Sequence, residues 1–442
     1  MTLFTMTGRW RSTLTTLLLV TLGAATAARA EPLSPVEQQM AATIDERLPR
    51  AMSLLEESVN INSGTMNFAG VRKTGEMFGA ALRDIGLTTR WIDGEAFGRA
   101  GHLIAEYGER GPHLLLIGHL DTVFEPDSPF QRFERLDEHR AKGPGVTDMK
   151  GGNVVIVEAL AALRAAGILE QMQVTVVLTG DEESAGEPLA LARKSLLEAA
   201  QAADVALGFE DGDGNPATAV IARRGYSGWQ LAVAATAAHS SLIFRDGTGY
   251  GAAFETARIL DTFRRELAEE EYLTFSAGLV LAGTDVDHDA AHSAGHASGK
   301  ANVIPERAAV SGDLRTLSTD QERNARQRMR AIVSDSLAGA HAAIEFTDGY
   351  PPLAPSDGNR RLLSLYSQAS EDLGFGAVEA VDPAAAGAAD ISFTAGHVDM
   401  ALDGLGLMGS GGHTVEETAD LRTLASQSKR AAVLMNRLRT EL

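Results

Sequence analysis

The chain has 442 residues, 44% hydrophobic and 22% charged, a balance that excludes global disorder. Its formal net charge of −20 repels phosphate, so nucleic acid is not an expected partner. Cysteine is absent, which rules out disulfides, thiol chemistry and a cysteine-linked lipid anchor and leaves stability to burial. Arg9 and Arg11 precede an apolar stretch at 18–24, and Ala28-Arg29-Ala30 offers a small-residue cleavage pattern, so residues 1–30 read as a secretory signal. Its removal leaves 412 residues with a formal charge of −23, enough for two or three domains. No later apolar run approaches the ~20 residues that span a bilayer. A soluble periplasmic or secreted protein with no membrane partner is expected.

From about 40 to 222, helical and strand patterns alternate. Helices are predicted at 36–59, 71–85 and 152–166, the last opened by Gly151 and Gly152. The short branched runs HLLLIG (113–118), VTVVLTG (174–180) and DVALGF (204–209) read as buried parallel strands. From about 223 the order changes to strand 229–236, helix 249–267, strands 274–284 and 308–317, helix 319–338 and strand 343–348. That β-α-β-β-α-β order is the split unit of a ferredoxin-like domain. After Pro351-Pro352 the α/β alternation resumes. The prediction is an α/β domain with a mostly parallel sheet, formed by 31–222 and 351–442, and an α+β domain inserted at 223–350. The only low-complexity tract is alanine and glycine at 384–389.

Polar residues cluster just past the predicted strands: His119 and Asp121 after the first, Asp181, Glu182 and Glu183 after the second, Glu210 and Asp211 after the third. The carboxyl ends of neighbouring parallel strands converge on one crevice, where open α/β sheets bind ligands. Asp148 in GPGVTDMKGG and His413 in GSGGHTVEE can reach the same place. Two imidazoles with several carboxylates suit zinc, with cobalt or manganese as substitutes. The carboxylates are too many for one catalytic zinc, so two metals sharing a carboxylate are expected, with Asp148 as the bridge. Asp121 is placed to accept a hydrogen bond from the second ring nitrogen of His119.

The segments GHLDTV, GPGVTDMKGG, TGDEESAG, GFED and GLGLMGSGGHTVEE, in this order from 118 to 417, resemble a two-zinc exopeptidase and deacylase family. That family includes glutamate carboxypeptidase, acetylornithine deacetylase, succinyl-diaminopimelate desuccinylase and aminoacylase. The resemblance implies that His119, Asp148 and Glu210 hold one zinc and that Asp148, Glu183 and His413 hold the other. It makes Glu182 the general base and Asp121 the partner of His119. The metal pair would acidify a water for attack on an amide carbonyl, with Glu182 shuttling the proton to the departing amine. ATAAHSS (235–241) resembles the segment whose histidine reaches the developing oxyanion from a partner subunit, a role that falls on His239 in a homodimer. KANVIPERAAVSGDLR (300–315) resembles the segment whose Asn and Arg hold a substrate carboxylate, here Asn302 and Arg315.

Glutamate-releasing relatives place cations where this chain has TDGYPP (347–352) and GDGNPAT (212–218), which offer Tyr350 and Thr218 instead. A neutral, apolar or aromatic released residue is therefore expected. The reading is a carboxypeptidase-type metallopeptidase acting on a small peptide. An N-acyl-amino-acid deacylase or dipeptidase is the alternative within the family, and a non-catalytic metal- or solute-binding protein the alternative outside it. The remaining histidines read as bland. His288, His292 and His296 are expected in a solvated loop, while His102, His113, His139, His341 and His397 lack carboxylates at useful spacing. Met149 is expected to pack and Lys150 to lie at the surface.

Overall fold

The apolar runs of the first half assemble into one sheet in the computed structural model, which describes residues 33–290 and 292–442. The predicted signal, 1–30, lies outside the described residues. The sheet has six strands in the order Thr88–Asp93, Gly101–Tyr107, Gln173–Thr179, His113–His119, Val205–Gly208 and Met400–Leu402. The last four are mutually parallel, and the first two add an antiparallel edge that the sequence reading did not anticipate. From His113–His119 the chain crosses to one neighbour through the helix Lys150–Ala165, then returns to the other side through Lys194–Ala202. That reversal of direction opens a crevice beyond the carboxyl ends of these strands.

Nearly every residue of Lys150–Ala165 is buried, because the helix lies between the sheet and the helices Pro35–Val59 and Arg422–Glu441. A helix apolar on all sides is what such a central position selects. Its glycines permit a close approach at the start. A Cβ on Gly152 would sit 1.9 Å from the Phe209 carbonyl, and one on Gly151 2.5 Å from Leu407 Cβ. Met149 is buried as expected, but Lys150 is fully buried too. Its Nζ donates to the Ile61 carbonyl at 2.8 Å, so the expectation of a surface lysine was wrong. Burial pushes its ammonium down to about 7.

A second sheet of four antiparallel strands runs in the order Thr274–Gly283, Arg307–Thr316, Gly225–Ala235 and Ala340–Asp348. With the helices Gly251–Leu267 and Thr319–Ser334 it gives the ferredoxin-like arrangement and encloses a separate core around Trp229, Leu231, Phe263 and Met329. The stretch bearing His288, His292 and His296 is not a loop. It forms a β-hairpin, Asp285–Asp289 with Ala294–Ser298. Alternation explains this: Asp285, Asp287 and Asp289 are exposed while Val286 and His288 turn inward, and His288 Nε2 lies 2.7 Å from Ser311 Oγ.

The chain passes between the sheets twice, and the two passes are bonded to each other. Arg223 and Leu353 exchange backbone hydrogen bonds of 2.9 and 3.0 Å, and the Tyr226 amide donates to the Tyr350 carbonyl at 2.8 Å. Gly225 is required here, since a Cβ would meet the Pro352 nitrogen at 2.6 Å.

Candidate metal centre

Strand register does most of the assembly. His119 is paired with Thr179 and Ile117 with Gly208, so the chain leaves all three parallel strands at one edge. Asp121, Glu182, Glu183 and Glu210 follow within a few residues of that edge. Asp121 is buried and organises the second loop: its Oδ1 accepts from the Glu182 amide and its Oδ2 from the Glu183 amide, each at 3.1 Å. Thr65 completes it with a 2.6 Å hydrogen bond to Oδ2.

Asp148 is held from behind by Glu417. This buried carboxylate accepts from the backbone amides of Gly145 and Thr147 at 2.9 Å and of Asp148 at 3.2 Å, and burial pushes its carboxyl up to about 7. Neither Thr65 nor Glu417 was singled out in the sequence. Only the turn NSGT before a helix and the acidic pair after His413 could have pointed to them.

The Asp148 carboxylate faces two imidazoles, one per oxygen. Its Oδ1 lies 3.0 Å from His119 Nε2 and its Oδ2 2.9 Å from His413 Nε2. Glu210 Oε1 is 3.5 Å from His119 Nε2, and Glu183 Oε2 is 3.1 Å from His413 Nε2. One donor atom from each of His119, Asp148 and Glu183 falls within 4.8 Å of the others. His413 adopts φ +61, a left-handed conformation that costs a non-glycine residue about 1–3 kcal/mol and is found where function over-determines it. The ring of His119 is oriented chiefly by the backbone. Its Nδ1 lies 3.0 Å from the Asp121 carbonyl and 3.4 Å from Asp121 Oδ1, so the expected side-chain partner is the more distant of the two.

The electrostatics are unbalanced. Asp121, Asp148, Glu182, Glu183 and Glu210 face two imidazoles, and among the described residues none of the five pairs with lysine or arginine. Burial pushes the Glu182 carboxyl well above its ordinary range. Asp390, Glu183 and Asp148 add to that shift against the pull of His119. Asp148 and Glu183 hold the His413 imidazole up to about 11. Partly buried carboxylates at this density favour cations, and imidazole nitrogens aimed at carboxylate oxygens form a nitrogen and oxygen donor set that suits two divalent metal ions.

The other predicted residues lie elsewhere. His239, Asn302 and Arg315 belong to the second sheet's unit, and among the described residues no hydrogen bond or ion pair joins them to this cluster. His239 and Asn302 are neighbours, because the Ser240 amide donates to the Asn302 carbonyl at 2.9 Å. Arg315 pairs with Asp313 at 3.2 Å and lies over the Tyr226 ring. Thr218 is tied to its own loop through Asp213. The Tyr350 hydroxyl bonds Arg193 and the Glu182 carbonyl. His102 Nδ1 accepts from the Gly180 amide at 3.2 Å, with Asp181 3.9 Å away. Burial nevertheless holds the ring's pKa low, and its Nε2 meets the Ala192 carbonyl at 2.8 Å.

Residues 115–437 match Peptidase family M20/M25/M40. Carboxypeptidase G2 of a Pseudomonas species is 25% identical over 406 residues, spanning 89% of this chain and 90% of that protein. The aminopeptidase PepT of Bacillus cereus superposes with a TM-score of 0.68 at 18% identity, covering 88% of this chain and 98% of that one. A dinuclear metal-binding peptidase of Bacillus subtilis gives 0.61 at 16% identity, with 88% and 98% covered.

Proposed function

The chain belongs to peptidase family M20/M25/M40, a family of metal-dependent hydrolases of amide bonds, and within it we propose a two-zinc carboxypeptidase. The substrate is a small peptide or N-acyl amino acid, cut beside its free carboxylate. The observation that carries this reading is the Asp148 carboxylate, which presents one oxygen to His119 and the other to His413 inside an acid cluster that, among the described residues, has no lysine or arginine paired to it. His119, Asp148 and Glu210 would hold one ion, and Asp148, Glu183 and His413 the other. When bound, the pair supplies Lewis acidity toward the scissile carbonyl and an acidified water.

The protein's own groups do the rest. Asp121 fixes the backbone of Glu182 and Glu183, so the base and a ligand are placed by one carboxylate. Glu182, next in the chain to the ligand Glu183 and held by Asp121, would take a proton from water and pass it to the leaving amine. Arg315 and Asn302 recognise the terminal carboxylate, and His239 of a second subunit supports the developing oxyanion, which makes the working form a homodimer. Arg193 is a cation near Tyr350, but Asp181 and Asp390 neutralise it. This supports a neutral or apolar released residue rather than glutamate. The leader-like residues 1–30 support a periplasmic or secreted location.

The test is a panel of blocked dipeptides offered to the zinc-loaded mature protein, with both products identified. Release of a free carboxyl-terminal amino acid, abolished by a chelator and restored by zinc, is expected, with acyl-phenylalanine or acyl-leucine preferred over acyl-glutamate. Two tightly bound ions without turnover on any substrate would instead establish a binding protein, and a clear glutamate preference would overturn the specificity.

A further inference from the structure

The loop that carries Glu182 is held from both sides. Asp121 bonds its amide on the metal side. On the far side the carbonyl of the same residue accepts a 3.0 Å hydrogen bond from the Tyr350 hydroxyl. Tyr350 does not belong to the strand-end loops. It stands on the return pass from the second sheet, two residues after Asp348 ends the last strand there. Its backbone is fixed by the Tyr226 amide and the Arg223–Leu353 pair, and its ring sits edge-on to Phe393 at 4.9 Å.

The hydroxyl has a defined direction. Arg193 donates from Nη2 to the Tyr350 oxygen, so the phenol's single proton is left for the Glu182 carbonyl. Arg193 cannot easily shift, because it is fully buried and also bonds Asp181 Oδ1 at 2.6 Å, the Asp181 carbonyl at 3.1 Å and Asp390 Oδ1 at 2.8 Å. Asp390 is in turn held by the Thr179 hydroxyl at the end of the central strand.

We propose that Tyr350 is a positioning residue for catalysis: its hydroxyl, aimed by Arg193, fixes the Glu182 peptide and thereby sets where the base carboxylate lies. The inference rests on Glu182 being the general base. It assigns Tyr350 a place behind the base, in contact with neither substrate nor metal.

Tyr350→Phe removes the hydroxyl and keeps the ring. Arg193 keeps its bonds to Asp181 and Asp390, while one Nη2 proton and the Glu182 carbonyl lose their partner, so the unfolding free energy is measured beside the kinetics. The variant is compared with wild type and with Tyr366→Phe, which deletes a buried hydroxyl bonded to Gln427 in the same unit but on the helix Asp357–Asp372. A purely structural loss would affect both variants alike. Tyr350→Phe is expected to lower kcat roughly ten- to a hundredfold, with KM within about twofold and two metal ions retained. Tyr366→Phe keeps wild-type kcat. In a Glu182→Ala background Tyr350→Phe has no further effect, because the group through which it acts is gone.

Wild-type kcat in Tyr350→Phe overturns the inference, as does loss of metal or an equal loss in Tyr366→Phe. Failure of the underlying reading looks different: Glu182→Ala itself would then retain turnover.

Discussion

Asp181, buried, and its partly buried neighbours Glu182 and Glu183 are consecutive acids, yet their charge is met in opposite ways. Asp181 turns back into the protein, where Arg193 takes it together with Asp390 in a closed set of ion pairs. Glu182 and Glu183 turn forward into a cluster with Asp148 and Glu210, where, among the described residues, imidazoles rather than lysine or arginine make the ion pairs. A buried acid paired with a guanidinium is satisfied by the chain alone. A partly buried acid cluster without a paired lysine or arginine is stabilised by a cation from solution or by protonation. The first cluster therefore supports the fold, and the second is suited to hold a cation.

The comparison breaks first at Asp148. Asp148→Asn keeps the volume but removes the shared charge, so elemental analysis should find both ions lost and kcat/KM should fall by at least roughly 10⁴-fold. Full occupancy with two ions would show that the cluster does not depend on its bridge. Glu182→Gln sharpens it, because this acid belongs to the cluster without being a ligand. Two bound ions with kcat lowered about 10²- to 10⁴-fold are expected, whereas Glu183→Ala should lose metal. Wild-type metal content in Glu183→Ala would reverse the two roles.

The supporting cluster is tested by Arg193→Met, which strands Asp181 and Asp390 in the core. The expected cost, read from denaturant unfolding of the metal-loaded protein, is about 3–5 kcal/mol. Adding Asp181→Asn and Asp390→Asn should recover part of it, since the stranded charges are then gone. No loss in the single variant would mean that water already serves these acids.

The binding cluster was legible in the sequence and the supporting one was not, for a physical reason. Each ligand follows a branched apolar run or a glycine-bounded turn, and parallel register carries those local positions to one edge. Arg193 meets Asp390 across 197 residues and Tyr350 across 157, and Glu417 meets Gly145 across 272. No local period announces such pairs. Lys150 misled because a lysine beside a charged motif reads as solvated, yet the largely buried helix it begins carries it inside. The strands Thr88–Asp93 and Gly101–Tyr107 were missed as well. The first is half exposed at the sheet edge and lacks the apolar run that marks its central neighbours.

The second sheet's unit supplies a buried acid of an intermediate kind. Glu255 is fully buried on Gly251–Leu267 and accepts from Arg258 at 2.7 and 2.9 Å and from the Leu337 amide at 3.0 Å. Burial raises its carboxyl, but these bonds win and hold it below its ordinary value of 4.5. The folded state therefore binds its proton less readily than the unfolded chain does. The stabilisation is fully present above the unfolded value and is lost as pH falls through the folded one. Glu255→Gln should cost roughly 1.5–3 kcal/mol at neutral pH, and the gap to wild type should close as pH falls below the ordinary carboxyl value and through the lowered folded one. Urea unfolding of both proteins across that range measures it. A gap that persists undiminished in acid would mean that the hydrogen bonds, rather than the charge, hold the two helices of this unit together, and that neutralisation by a neighbouring arginine matters only in the catalytic unit.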